Sequence, residues 1–526
     1  MIHRPVDAVA DVLRAAGVRR IHGVPGEGST IDLVDAAHDR GIEYVLTAHE
    51  TGAAFMAAAE AELTGRPGAC LVTKGPGLTN VATGVAHAWL DRVPLLVVTD
   101  QYPAAAAHRV ERQNLPQMEL LRPIVKWQAV LHPVGPRRVT EAAVRTALTH
   151  PAGPVLLALP FGPATEPAEP EASGAVGPPD AARPAPAALD AAQRAIDRVA
   201  RPLLLVGMGA RTGEAPRQVA RFAERLGAAT ITTSKAKGVI PAGHPLYGGT
   251  LPGPAARRLL DLADCVVAVG FDPVELPQPW PSPLPIVRLD GEAYRGTYFA
   301  PAQEVIGDVA ASLEALSAGG VSRHAWDVGV IARAREAERE RFANGEGLTP
   351  YRVLELARRL VPAETVVTVD AGAHKQLANV VWEAERPLTY LTSNGLASMA
   401  FALPAAAAAA MVTGRRAVAL TGDAGLLMAL GELETIHRLG VPVTVVVFAD
   451  AGHSIIRVHQ LQRGLVPRGV DLTPLRFERL AAAIGGRGFA AATPDEFGRA
   501  LEASQAEAGL CLVAARVDPG WYRVLA

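Results

Sequence analysis

Leu420-Thr421-Gly422-Asp423-Ala424-Gly425 closes one apolar run, and Val443-Thr444-Val445-Val446-Val447-Phe448 runs into Ala449-Asp450-Ala451-Gly452. Each reads as an apolar strand that ends at an acid, and the two acids stand 27 residues apart. Near-continuous apolar strands are buried on both faces, as in a parallel sheet covered by helices. Ligands of such a sheet collect beyond the carboxyl ends of its strands. A glycine-rich turn there lets backbone N–H groups approach a phosphate, and the helix N-terminus favours negative charge. Two hard carboxylate ligands beside phosphate oxygens suit Mg²⁺. The stretch therefore predicts an α/β domain with a metal-assisted phosphate site at its strand ends.

The same alternation extends through the chain. Arg20–Val24, Glu43–Leu46, Ala69–Thr73 and Pro94–Val98 read as strands, followed by Pro202–Gly207 and Cys265–Gly270, then Thr365–Asp370 and Ala417–Leu420. At about 150 residues per domain, 526 residues predict three to four domains. Two Pro/Ala/Gly-rich passages place the boundaries: a domain over 1–162, a linker over 163–190, a central domain over 191–318, a linker with a short charged helix over 319–349, and a domain over 350–526. The expected class is α/β, with three consecutive parallel-sheet domains.

A net charge of −2 leaves no electrostatic footprint for nucleic acid or an anionic membrane. Cys70, Cys265 and Cys511 sit apart within apolar runs and read as buried thiols of a reducing compartment. The longest apolar stretch, Ala400–Val412, is too short to span a bilayer. Met1-Ile2-His3-Arg4-Pro5 lacks the apolar core of a secretory signal, so a cytoplasmic location is expected.

His49-Glu50 follows a strand and opens a helical run, which places the Glu50 carboxylate at a strand-to-helix corner. Taken alone, that is an acid at a helix N-terminus, stabilised by the helix dipole. In its setting it is more. Gly23-Val24-Pro25-Gly26 lies before it and Gly75-Pro76-Gly77-Leu78-Thr79-Asn80 after it, while Asn394-Gly395-Leu396-Ala397-Ser398-Met399 precedes Asp423 and Asp450. In this order and spacing the segments resemble the thiamine-diphosphate (ThDP) enzymes, and they are most similar to the FAD-independent, catabolic acetolactate synthases.

The resemblance implies a pyrimidine-binding, a central and a diphosphate-binding domain. It implies Glu50 as the activating acid and Gln113, in Arg112-Gln113-Asn114, as a substrate contact. Pro25, Gly26, Gly75 and Asn80 would border the cofactor rings, with Gly395, Leu396, Ser398 and Met399 beneath the thiazolium. Gly372, His374, Gly422, Asp423, Ala424, Gly425, Asp450, Gly452, His453 and Ser454 would surround the diphosphate. Asp423, Asp450 and the Gly452 carbonyl would ligate Mg²⁺. Ala424 stands where the family has glycine and Ala449 where it has asparagine, and neither change removes a ligand.

Lys74 and Glu27 depart from the small residues usual at those places. A buried cation and anion are tolerated mainly as a pair, so the two are expected to pair with one another or to read a polar substrate group. Arg112, Arg457 and His459 are further candidates for substrate contact. The implied reaction is decarboxylation of a 2-oxo acid and transfer of the acyl carbanion to a second carbonyl. Simple decarboxylation to an aldehyde is the alternative. A silent regulatory homologue is disfavoured by the survival of Glu50, Asp423 and Asp450. The central domain of such enzymes can bind FAD, another nucleotide or nothing; Gly207-Met208-Gly209-Ala210 is too lone a glycine motif to decide between them, and a plain strand-to-helix turn without FAD is the better expectation. The site would need a homodimer, doubling to a tetramer.

Overall fold

The computed structural model describes residues 4–168, 171, 174, 176–177, 182–320, 324, 326–343 and 345–525. Parts of both expected linkers, within 169–181 and 321–325, and residue 344 therefore lie outside the described residues.

Three six-stranded parallel sheets carry the chain. The first contains β1 (Arg20–Val24), β2 (Glu43–Leu46), β3 (Gly68–Val72), β4 (Leu95–Gln101), β5 (Trp127–Val130) and β6 (Pro154–Pro160), in the order β2-β1-β3-β4-β6-β5. Its strands are apolar at successive positions because both faces are covered. Leu71, Leu96, Val98 and Leu157 pack on one side, and Cys70, Val72, Val97 and Leu156 on the other. The helices Glu50–Thr64 and Pro76–Leu90 lie over the second of these faces.

The second sheet contains β7 (Pro202–Val206), β8 (Ala229–Thr232), β9 (Tyr247–Thr250), β10 (Cys265–Val269), β11 (Ile286–Asp290) and β12 (Gln303–Ile306). Its order, β12-β11-β10-β7-β8-β9, is the doubly wound nucleotide-binding arrangement. The third contains β13 (Val367–Val369), β14 (Tyr390–Thr392), β15 (Ala417–Gly422), β16 (Val443–Ala449), β17 (Arg487–Ala491) and β18 (Leu510–Arg516). Its order, β14-β13-β15-β16-β18-β17, repeats that of the first sheet strand for strand.

The expected α/β class with three parallel sheets is what the chain adopts. All three cysteines are buried and free. Among the described residues no helix is long and apolar enough to cross a membrane. The helix Pro186–Asp197 begins inside the passage read as linker, because Pro186 suits a first helical position and Ala192 and Ile196 bury against the second core.

Contacts divide the chain into two compact units. One holds the first sheet and also residues 403–415 and 429–441. The other holds the second and third sheets.

Candidate active site

In the unit with the third sheet, β15 ends at Gly422 and the chain turns at once into the helix Asp423–Met428. A Cβ at Gly425, in that helix, would run into the Asp370 carboxylate and meet the Thr421 hydroxyl at 2.6 Å, so a side chain there would displace this buried pair. Asp423 is buried; the Ala451 N–H donates to its Oδ2, while Oδ1 has no hydrogen-bond partner among the described residues. Asp450 accepts the Gly452 N–H on Oδ1 at 3.2 Å and the Ser454 hydroxyl on Oδ2 at 2.8 Å. Burial, and then the charge of Asp450, pushes the Asp423 carboxyl up to about 7; burial pushes Asp450 up to about 6. Two acids held this way are costly unless a cation joins them. Ala451, between Asp450 and Gly452, takes the left-handed φ of 55°, a conformation alanine seldom adopts.

Gly372, at φ 155°, caps the helix Ala373–Val381 and leaves room for the His374 ring, which a Cβ would meet at 2.6 Å. His374 is buried and stacks on Phe448 with ring centroids 5.1 Å apart. Burial, then the neighbouring Lys375, holds its imidazole down to about 3, so it is neutral; Nε2 has no partner among the described residues. Gly422 abuts the same ring. His453 donates its N–H to Val470 O at 2.8 Å and leads into the helix Ser454–Gln462.

The segment 394–401 is irregular but pinned. Ser398 N–H donates to Ser393 Oγ at 3.1 Å, the Ser398 hydroxyl to Met399 O at 2.8 Å, and Ala371 N–H to Ser398 O at 3.4 Å. Ala397 and Ala400 both take left-handed φ, 52° and 68°. Gly395, Leu396 and Met399 are half-buried on this shelf.

In the unit with the first sheet, the Glu432 carboxylate accepts the N–H groups of Ala48 and His49 at 3.4 and 3.2 Å and so sets the turn after β2. His49 caps the helix Glu50–Thr64 through Nδ1, which accepts from Thr51 N–H at 3.1 Å. Glu50, the first helical residue, is only 8% exposed within the chain. Its Oε2 accepts from Asn80 Nδ2 at 3.0 Å, and Oε1 faces Gly77, where a Cβ would lie 3.4 Å away. Gly75 takes φ 68° and packs on Gln113, itself left-handed at φ 57°. Gly26 bonds Thr30 Oγ1 through both N–H and C=O at 3.2 Å and leaves no space for a side chain beside Thr73. Pro25 and Arg112 are exposed.

One expectation is corrected. Glu27 is exposed and makes no ion pair with Lys74 among the described residues. The acid facing Lys74 is Asp100, with Nζ 3.7 Å from Oδ2. The reason is topological: β3 and β4 are neighbours, so Lys74 and Asp100 meet beyond Val72 and Thr99, which pair in register. Arg457 pairs with Asp471 at 2.5 Å, and His459 is exposed. Asp370, Glu432 and Tyr522 escaped notice in the sequence. Tyr522 is fully buried, and burial together with Asp450 and Asp423 holds its hydroxyl well above the ordinary value. Only Asp370, at the end of an apolar run, carried a readable signal.

In the second sheet, the loop Gly207-Met208-Gly209 is filled from within. Glu275 accepts the Met208 N–H on both oxygens at 3.0 and 3.1 Å and the Asp272 N–H at 3.2 Å. Burial pushes its carboxyl up to about 8.

Three family models match the chain: the N-terminal TPP-binding domain of thiamine pyrophosphate enzymes over residues 4–120, their central domain over 189–316 and their C-terminal TPP-binding domain over 370–515. An acetolactate synthase large subunit of Parasynechococcus marenigrum is 32% identical, over 86% of this chain and 77% of its own. A catabolic acetolactate synthase of Raoultella terrigena is 29% identical over 97% and 94%. A probable 2-ketoarginine decarboxylase of Pseudomonas aeruginosa is 29% identical over 97% and 93%. With its three parallel sheets and with these likenesses along nearly its whole length, the chain belongs to the thiamine-diphosphate-dependent enzymes of the carboligase and decarboxylase type.

Proposed function

We propose that this enzyme decarboxylates a 2-oxo acid and joins the remaining acyl unit to a second carbonyl, as an acetolactate-synthase-like carboligase. The observation that carries the reading is Glu50: a buried carboxylate at a helix start, with Oε2 held by Asn80 and Oε1 against the Gly77 turn. Bound ThDP supplies the nucleophilic carbon and the electron sink for cleavage beside a carbonyl. The chain supplies the rest. Glu50 would give and take a proton, and Asn80 holds its Oε2 at 3.0 Å so that Oε1 is the oxygen left for that exchange. The 394–401 shelf with Met399 sets the position of the rings.

The diphosphate residues fit a Mg²⁺-bound anion. Their donors are hard oxygens; among the described residues Asp423 Oδ1 is buried without a hydrogen-bond partner, and neutral His374 has an unpartnered Nε2. Asp423, Asp450 and the Gly452 carbonyl are the metal ligands of this reading. The reading includes no flavin: in the lone glycine loop of the second sheet the Met208 N–H is taken up by Glu275. Glu50 and the two aspartates lie in different compact units, and the working form is a homodimer or tetramer in which one protomer's Glu50 serves its partner's cofactor.

The test is incubation with ThDP, Mg²⁺ and pyruvate or other 2-oxo acids, followed by mass analysis of products. A carboligated product supports the reading, and an aldehyde alone favours simple decarboxylation, the reaction named for the Pseudomonas aeruginosa relative. Glu50→Gln should lower turnover roughly 100- to 10,000-fold with cofactor still bound. Unchanged turnover would remove Glu50 from its role.

A further inference from the structure

Beside the Gly75 turn lies a cavity of about 160 Å³, several times what one water needs. Lys74, Gln101, Tyr102, Gln113, Asn114 and Gln117 contribute its polar walls. Among these lining residues Lys74 is the charged one, and no carboxylate is present. Asp100 stands behind Lys74: its Oδ1 accepts the Lys74 N–H at 2.6 Å and its Oδ2 is the oxygen 3.7 Å from Nζ.

The Lys74 side chain is 1% exposed, yet Nζ has no hydrogen-bond acceptor among the described residues. It lies over the rings of Phe161 and Tyr102, 4.2 and 5.0 Å from their centroids. An ammonium that has left water without gaining an acceptor loses hydration it does not replace. Asp100 offsets its charge but not its hydrogen bonds. Gln117 spends Nε2 on Asp100 O at 2.9 Å, and its Oε1 is also unpartnered among the described residues. The site is therefore built to receive a polar group, and the unused ammonium donors on its wall favour a hydrogen-bond acceptor such as a carboxylate oxygen.

Its position connects it to the chemistry. Lys74 is followed by Gly75, which packs on Gln113, and by Gly77, which touches Glu50. The third sheet offers a parallel. Its strands β15 and β16 hold the places that β3 and β4 hold in the first, and the two acids beyond them are Asp423 and Asp450. The corresponding crevice of the first sheet carries its own cation, Lys74, opposite its own acid.

We propose that Lys74 determines specificity, and that this cavity takes the distal carboxylate of a 2-oxo dicarboxylate substrate. The inference rests on the ThDP reading above and narrows its substrate class. The probes are 2-oxoglutarate and 2-oxopentanoate, which share a five-carbon chain and differ in the second carboxylate. The wild-type holoenzyme should give a higher kcat/KM with 2-oxoglutarate. In Lys74→Met combined with Asp100→Asn, which leaves no lone buried charge, the ratio of the two kcat/KM values should fall roughly 10- to 100-fold, the range for a lost charge-assisted hydrogen bond. Lys74→Arg, with the charge kept, should retain the preference.

A wild-type preference for 2-oxopentanoate, a ratio unmoved in the double variant, or turnover of pyruvate with neither five-carbon acid each overturns the proposal. Absence of ThDP-dependent turnover with every 2-oxo acid would instead overturn the reading beneath it.

Discussion

Asp370 accepts the Ala402 N–H at 2.7 Å, and its other oxygen takes the Thr421 hydroxyl at 2.7 Å. One buried side chain at the end of β13 thus holds both the shelf and the strand that leads to Asp423. Replacing Asp370 by Ala would leave the buried Ala402 N–H unpaired, at about 1–3 kcal/mol, while the Thr421 hydroxyl keeps the Gly422 carbonyl as acceptor at 3.2 Å. Thermal and denaturant melts should show a stability loss of that order, with weaker ThDP binding by fluorescence titration. Stability within experimental error of the wild type would show that the shelf is held by other contacts.

Asn80 fixes one oxygen of Glu50 at 3.0 Å. Asn80→Ala should lower kcat about 10- to 100-fold, as expected for losing a hydrogen bond to a charged group, with little change in the cofactor Kd. A change confined to the cofactor Kd would instead make Asn80 a binding residue.

Chelation should cut ThDP affinity, because two buried acids then face the diphosphate without a cation. Isothermal titration with and without EDTA reads the effect, and Mg²⁺ should restore binding. Asp423→Ala should weaken the response to Mg²⁺ most. ThDP affinity that ignores the chelator would remove the metal from the site.

Glu275 gives a pH signature independent of catalysis. Its folded carboxyl keeps a proton up to about pH 8, against an ordinary value of 4.5, because burial outweighs its backbone hydrogen bonds. The folded state then binds more protons than the unfolded state between those values. Its contribution to stability is full below pH 4.5 and drains away as pH rises towards 8. Glu275→Gln removes that slope, so the Tm of the variant relative to wild type should climb from pH 5 to pH 8. A difference that stays flat would mean that Glu275 ionises normally in the fold.

The sheets were legible because their strands are apolar without alternation, which only double-sided burial explains. The acids at 423 and 450 were legible because each follows a strand directly, and the Glu50 corner because Glu50 opens a helix a short turn after β2. Asp370 and Glu432 were harder to see. Glu432 caps a turn 383 residues earlier in the chain, and no local pattern announces a contact of that range. Lys74 was visible as an oddity, but its partner was misjudged. Glu27 and Lys74 leave neighbouring strands β1 and β3, and so do Lys74 and Asp100 from β3 and β4; register and burial, not proximity in the motif, select the second. Tyr522 lies in a terminal turn whose sequence reads as ordinary packing.

The duplicated strand order of the first and third sheets has a further consequence. On the reading proposed above, one copy balances its crevice with an ammonium welded to the polypeptide, while the other would rely on a borrowed ion. Stripping divalent ions should therefore loosen only half of the molecule, and amide exchange would rise around residues 422–425 and 450–454 while that around 73–77 and 99–102 held steady.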